Sequence, residues 1–278
     1  MRFRNLFAVL CVLISAIGAN AQSIANGYTV GTWSGFRTAA ATFTFDDNAP
    51  SHISVVAPEF KQRGYTATFN VVIDWMDQSG QWNAFKNLVK DGHEIASHTV
   101  THSQNTPSSE LSSSRSTINQ HITGQDCNTI AYPYCNVPSD GTALAQNYIG
   151  GRICDGQVMG KTPSDYFRIS AITTGSDANY TSTSDFTGSM QSAISKGGWV
   201  VFLTHGIQGE TNGNATYSPT PINAITGALD WAKQNDSKIW VTTFRNAILY
   251  AKERDALSLS ETTESSKLKL TASVNITS

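Results

Sequence analysis

The chain has 278 residues, of which 40% are hydrophobic and 14% charged, enough for one large domain or two ordinary ones. Its 19 basic and 21 acidic residues give a formal charge of −2, with neither the basic stripe of a nucleic-acid binder nor an acidic tail. Four cysteines occur and none forms a C-x-x-C pair, so any metal chemistry must come from Asp and His.

Residues 1–21 read as a secretory signal. Arg2 and Arg4 give a basic start, Leu6 to Ile17 is a short apolar run, and Ala19-Asn20-Ala21 fits a small-residue cleavage site. A retained N-terminal anchor is the alternative, but the run is short for a membrane span. Cleavage would leave 17 basic against 21 acidic residues. The expectation is a secreted or periplasmic protein with no membrane attachment once the leader is removed.

Short β-rich runs then alternate with helical ones. The expected strands are Ala41–Asp46, Ala67–Val72, His93–His98, Thr129–Pro133, Gly151–Cys154, Phe167–Ile172, Trp199–His205 and Trp240–Phe244. Several are nearly continuous apolar runs, as in parallel strands covered on both faces. Between them, Trp82, Phe85, Leu88 and Val89 fall on one helical face before Gly92, and Thr106-Pro107 reads as a helix start followed by Leu111, Ile118 and Ile122. Further helices are expected near Asp185–Lys196, Pro221–Gln234 and Arg245–Arg254. The alternation predicts an α/β fold, a distorted (β/α) barrel of about seven to eight strand–helix units spanning residues 22–256. A doubly wound open sheet is the rival, weakened by the lack of a G-x-G-x-x-G loop. Residues 257–278 form a polar tail, with a polar run "SETTESS" and then an alternating one: either a linker with the start of a β-module or a floppy end.

The polar groups cluster at the C-terminal strand ends, where barrel enzymes place their sites. Asp46 and Asp47 end the first strand, "SHTVTH" (Ser97–His102) the third, "AYPYC" (Ala131–Cys135) follows the fourth, and "LTHG" (Leu203–Gly206) ends the seventh. His98 and His102 stand four apart and would share a face if a helical turn begins at Thr99. Two imidazoles and one carboxylate bind a divalent metal on one side, leaving positions open for water and substrate. One aspartate would then be held by the metal while the other stays free as a base. Zinc is the default, and cobalt, nickel or iron would also suit this ligand set. His205 is a candidate general acid or third imidazole ligand. His93 reads as structural, and His52 and His121 as solvent-exposed.

The motifs "TFDD", "SHTVTH", "YPY" and "LTH", in this order and spacing, resemble the polysaccharide deacetylases with NodB homology, carbohydrate esterase family 4, over roughly Ala41 to Ala256. The resemblance implies a metal-dependent deacetylase. In it Asp46 matches the catalytic base, Asp47, His98 and His102 the metal ligands, and His205 the general acid. Leu203 matches the residue lining the acetyl-methyl pocket, and Tyr134 the residue whose backbone N–H helps hold the oxyanion. One departure stands out: family members often carry R-x-P-Y, whereas this chain has Ala131-Tyr132-Pro133-Tyr134. Arg152, ending the next strand, is the candidate replacement. Asp165 and Asp177 are candidates for the Asp that supports the general acid.

The implied partner is an acetylated polysaccharide. N-acetylglucosamine-containing glycan, of chitin or peptidoglycan type, comes first. Acetylated xylan, cleaved as an ester, is the alternative, and a carbohydrate-binding protein with impaired catalysis is a third. Trp75 and Tyr217 are possible sugar-stacking residues, although buried packing is the commoner role of such side chains. Cys135 and Cys154 follow the ends of consecutive strands and are expected to form a disulfide, with Cys127 free at the other end of the barrel.

Overall fold

Strand β1 (Ala39–Asp46) shows how the sequence divides inside from outside. Its odd positions, Ala39, Ala41, Phe43 and Phe45, join the large aromatic core under the helices. Its even positions turn the other way: the Thr42 hydroxyl accepts a hydrogen bond from the Trp199 indole, and Thr44 and Asp46 meet Arg152. A strand side-chain period of two, applied to a fully buried strand, thus produces an apolar outer layer and an inner face whose polar groups stand beside a second apolar cluster that includes Ala40, Trp199 and Val201.

The computed structural model describes residues 28–264 and 267–275. The expected leader, residues 1–21, lies outside the described residues. Among these, the barrel strands are β1, β2 (Thr68–Val71), β3 (Glu94–Ser97), β4 (Thr129–Ala131), β5 (Gly150–Arg152), β6 (Ile172–Thr173), β7 (Trp199–Thr204) and β8 (Ile239–Val241). All pair in parallel in the order β5-β4-β3-β2-β1-β7-β6, with β8 beside the N-terminal half of β1. The fold is the distorted (β/α) barrel that the alternation predicts.

The helices are α1 (Ala57–Arg63, continuing a π-turn at His52–Val56), α2 (Ile73–Ser79), α3 (Trp82–Lys90), α4 (Ser108–His121), α5 (Gly141–Asn147), α6 (Thr183–Lys196), α7 (Ile222–Gln234) and α8 (Phe244–Ala256). Their ends follow local chemistry. Ser182 and Asp185 form a capping box at the start of α6, and the Thr243 hydroxyl accepts from Asn246 N–H at the start of α8.

One expected strand needs correction. Phe167–Ile172 is not one strand. Ile169 and Ala171 exchange backbone hydrogen bonds with Gly151 and Ile153, and only then does β6 pair with β7. The segment is divided because it spans the gap between β5 and β7. In the tail, β9 (Leu257–Glu264) pairs with β10 (Lys267–Val274) in a separate two-stranded sheet.

The floor of the lumen is closed by α8 and a buried carboxylate. Glu94, on the inner face of β3, accepts hydrogen bonds from the hydroxyls of Thr68 and Thr129 and from the Arg245 N–H in the first turn of α8. An acidic group at a helix N-terminus is favourably placed, and these three donors satisfy it inside the protein. We predict that Glu94→Ala lowers the unfolding free energy by about 3 kcal/mol, because two hydroxyls and a helix N-terminus lose their partner in a buried site. Urea unfolding checks this, and a change below about 0.5 kcal/mol would contradict it.

Candidate metal centre and its surroundings

Strand parity delivers the site residues. On β3, Glu94, Ala96 and His98 alternate with Ile95 and Ser97. Ile95 enters the outer core, and Ser97 bonds Ser114 of α4. His98 therefore points into the lumen. On β7, Leu203 shares parity with Trp199 and Val201, which pack in the inner cluster, and His205 is the next position in that series. On β5, Arg152 and Cys154 have the same relation. Asp46, Asp47, His98, His102, Tyr134, Cys135, Arg152, Cys154, Leu203 and His205 all line one cavity of about 570 Å³.

The adjacent carboxylates turn the same way because the backbone enters the left-handed region at once, with φ of 73° at Asp47 and 40° at Asn48. The Asn48 side chain fixes this turn by accepting from Val72 N–H at 3.1 Å. The environments of the two aspartates then diverge. Asp46 takes a hydrogen bond from Asn70 at 2.7 Å and a charge-assisted one from Arg152, whose guanidinium also reaches Thr44. Burial pushes the Asp46 carboxyl up, but Arg152, His98, His205 and Asn70 outweigh it and hold the group well below the usual carboxylate range. Asp47 has no such partner. Burial and the charge of Asp46 push its carboxyl up to about 8, with Arg152 opposing. Arg152 thus sits where the absent motif arginine would be needed, one strand farther along.

His98 and His102 meet, but not on the expected helical turn. Residues 98–102 are irregular, and Thr99 and His102 have φ of 68° and 58°. Three features hold this loop. Thr99 and Val100 carbonyls accept from Ile73 and Asp74 N–H at the start of α2. Glu110 of α4 accepts from the Val100 and Thr101 N–H groups. The Thr99 hydroxyl accepts from His102 N–H. Glu110 has no sequence signal beyond its place early in a helix. The His98 Nδ1–H donates to the Ala131 carbonyl at 2.8 Å, which leaves Nε2 free to face the cavity.

The Asp47 Oδ1 atom lies 3.5 Å from His98 Nε2 and 3.6 Å from His102 Nε2. It is buried and has no hydrogen-bond partner among the described residues. Two ligands at zinc distances of about 2.1 Å, subtending a tetrahedral angle, stand about 3.4 Å apart. An orphaned buried oxygen between two imidazole nitrogens at this spacing fits a divalent ion. Asp47, His98 and His102 are the candidate ligands, with their ligand atoms within 4.8 Å of one another.

His205 approaches from β7, its Nε2 3.9 Å from Asp47 Oδ2. Neither candidate carboxylate supports it. Asp165 accepts from Phe167 N–H and pairs with Arg168, and Asp177 accepts from the Ser176 hydroxyl. His205 Nδ1 is buried and unpartnered among the described residues. Instead the His205 backbone carbonyl accepts from His52 Nε2 at 2.8 Å. His52, expected to be exposed, is fully buried between Phe45 and Phe69. The π-turn at His52–Val56 carries it beneath the site, which helical periodicity alone does not reveal. His93 is buried as expected, accepting from Ala67 N–H, and His121 stacks on Trp82.

Cys135 and Cys154 form a disulfide with a Cα–Cα distance of 5.8 Å, and Cys127 is free and buried. The bridge ties the loop after β4 to the end of β5, and so Tyr134 to Arg152. Trp75 and Tyr217 also border the cavity, Trp75 half-buried and Tyr217 exposed, rather than packed in the core.

A ligand carboxyl must be ionised to bind a metal. At pH 7 the Asp47 carboxyl, with its pKa near 8, mostly holds its proton, while His98, pushed down to about 4 by burial, is already neutral. Zinc binding at pH 7 should therefore release about one proton from Asp47, in addition to any lost by metal-bound water. Calorimetric titration of zinc in buffers of different ionisation enthalpy measures this. Zinc binding without proton release at pH 7 would contradict the protonation state assigned to Asp47.

Residues 36–150 match the family model described as polysaccharide deacetylase. A gellan lyase from a Bacillus species is 29% identical over 130 residues, which amount to 44% of this chain and 5% of that protein. Among solved structures, a family 4 acetyl xylan esterase from Clostridium thermocellum, in complex with a cobalt ion, superposes with a TM-score of 0.50 at 16% identity, covering 76% of this chain and 90% of that one. A peptidoglycan deacetylase from Bacillus subtilis gives a TM-score of 0.50 at 15% identity, covering 78% and 94%. These structural likenesses concern the fold, and the sequence match lies over the strands that bring Asp46, Asp47, His98 and His102 together. Residues 36–150 are thus similar to the polysaccharide deacetylases, and the fold is the one shared with these deacetylase and esterase structures.

Proposed function

We propose that this chain is a metal-dependent hydrolase that removes acetyl groups from a polysaccharide, with N-acetylglucosamine-containing glycan as its principal substrate class. The observation that carries this reading is the division between two adjacent aspartates: Asp46 is ionised and held by Arg152, while Asp47 is unpartnered between His98 and His102.

A divalent ion held by Asp47, His98 and His102, zinc first and cobalt, nickel or iron as alternatives, would supply Lewis-acid polarisation of the acetyl carbonyl and make water a stronger acid. The protein groups divide the remaining work. Asp46 accepts the proton of the attacking water, and Arg152 and Asn70 orient its carboxylate toward the cavity. The Tyr134 N–H is the candidate donor to the oxyanion. Leu203, buried at the cavity wall, offers an apolar seat for the acetyl methyl group. His205 delivers a proton to the leaving group. Burial opposes its protonated form and the charge of Asp46 favours it.

The presence of this acid supports the N-acetyl reading. An amine cannot leave without a proton, whereas an alkoxide from an ester leaves more easily. Acetylated xylan remains the second reading, since the same groups can cleave an ester and the domain shares its fold with an acetyl xylan esterase. The leader expected over residues 1–21 goes with a secreted or periplasmic location.

Acetate release from chitin oligomers, peptidoglycan and acetylated xylan tests the proposal. We expect release from N-acetylglucosamine substrates, its loss on chelation and its return with added zinc. Release from xylan alone would transfer the assignment to the ester. No release from any of the three by the metal-loaded protein would leave the carbohydrate-binding alternative.

A further inference from the structure

The proposed proton donor has few contacts of its own to direct it. His205 lies beyond the last paired residue of β7, because the register with β1 ends at Phe45 opposite Thr204. Its Nδ1 is buried without a partner among the described residues. Its Nε2 lies 3.9 Å from Asp47 Oδ2, beyond hydrogen-bond reach. With no carboxylate to orient the ring, the main chain at His205 sets its direction. That main chain is anchored where the His205 carbonyl accepts from His52 Nε2 at 2.8 Å.

The site of His52 is otherwise aromatic. The side chain is fully buried, with the Phe45 ring 5.4 Å away and the Phe69 ring 5.7 Å away. A carbonyl oxygen only accepts, so Nε2 carries the ring proton and Nδ1 is bare. Nδ1 is also buried and unpartnered among the described residues. Burial pushes His52 down to about 4, so the ring is neutral at pH 7 and its single N–H is the one given to His205. A phenylalanine would fill the same pocket without burying a bare nitrogen. What the imidazole adds is the hydrogen bond to His205.

That bond joins the two segments that carry the proposed base and acid. His52 lies on the chain leaving β1, just beyond Asp46 and Asp47. Its own N–H donates to the Ala49 carbonyl, and the π-turn at His52–Val56 follows. Its neighbour Ser51 grips the loop after His205 from the other side. The Ser51 N–H donates to the Thr211 carbonyl at 3.1 Å, and the Ser51 hydroxyl to Asn212 Oδ1 at 2.7 Å. Asn212 in turn accepts from the Ile207 N–H and donates to the Ile207 carbonyl. Ser51 therefore fixes the loop, and His52 fixes the residue that bears the imidazole.

Resting on the deacetylase reading, we propose that His52 is a positioning residue for proton delivery: its Nε2–H holds the His205 main chain so that the His205 imidazole meets the leaving group. His52 is not among the residues lining the cavity, so it acts only through His205. The effect is confined to reactions whose leaving group needs a proton. An amine leaves as the neutral molecule and needs one, whereas 4-nitrophenolate leaves as the anion.

The test compares wild-type protein, His52→Phe and His52→Gln, all zinc-loaded, on an N-acetylglucosamine oligomer and on 4-nitrophenyl acetate. His52→Phe keeps the aromatic packing and removes the N–H. His52→Gln offers an amide N–H at a similar reach. His52→Phe should lower kcat for the oligomer about tenfold and kcat for the nitrophenyl ester less than about twofold. KM, zinc content and the urea midpoint should stay as in wild type. His52→Gln should restore most of the oligomer turnover. Nitrogen-15 NMR of the histidine rings gives a second readout. In wild-type protein His52 should be protonated at Nε2 and bare at Nδ1. In His52→Phe the His205 ring signals should shift while those of His121, stacked on Trp82, stay in place.

An equal loss on both substrates would overturn the proposal, because it would place His52 in general support of the fold or the metal. Unchanged oligomer turnover in His52→Phe would overturn it too. So would a His52 ring protonated at Nδ1 in wild-type protein, a result that needs no variant to fold. If wild-type protein releases acetate from neither substrate, the deacetylase reading fails and the ring signals decide the positioning role. His205 signals that shift in His52→Phe would then sustain it, and unchanged signals would overturn it.

Discussion

The pairing of Arg152 with Asp46 gives two neighbouring carboxylates opposite states. Two full charges about 4 Å apart in a partly buried site repel by about 4 kcal/mol, so a chain placing Asp46 and Asp47 side by side must neutralise one of them. Arg152 and Asn70 hold the first as the ion. The second is then raised in pKa and left without a hydrogen-bond partner among the described residues, which is the condition for a ligand that trades a proton for a metal. The difference between the two carboxyls follows from where one guanidinium lies.

That guanidinium lies where it does because of strand parity. Asp46, Asn70, Glu94, His98, Thr129 and Arg152 occupy inward positions on β1 to β5, and each uses its neighbour across the sheet. A one-residue slip of β5 would carry Arg152 out of the lumen and bring in Gly151 or Ile153. The disulfide from Cys135 to Cys154 lies two residues beyond Arg152 and holds the same register from the loop side. Beneath these layers, Glu94 meets the start of α8 at the barrel floor.

Much of this was legible in the sequence because it depends on local pattern. Near-continuous apolar runs ending in Asp, His or Arg marked both the parallel sheet and the face carrying the chemistry, and the residues named from that pattern line one cavity. What could not be read depends on distant contacts or on backbone conformations without a sequence signature. The His98–His102 pair looked helical by spacing but is set by left-handed residues and by Glu110 reaching back from α4. His52 appeared to be a surface residue because a π-turn breaks the helical period that would have shown it buried. The divided path from Ile169 to β6 answers a gap in the sheet, which no single segment encodes.

The account's central claim is that adjacent aspartates have different duties, and paired amide substitutions test it most directly. Asp46→Asn and Asp47→Asn remove the same charge from neighbouring positions with little change in volume. Zinc content after dialysis and acetate release are measured for each. The account predicts that Asp46→Asn keeps about one zinc per chain and loses roughly a hundredfold or more in turnover, while Asp47→Asn loses the zinc and the turnover together. Loss of zinc from Asp46→Asn with full occupancy in Asp47→Asn would contradict it.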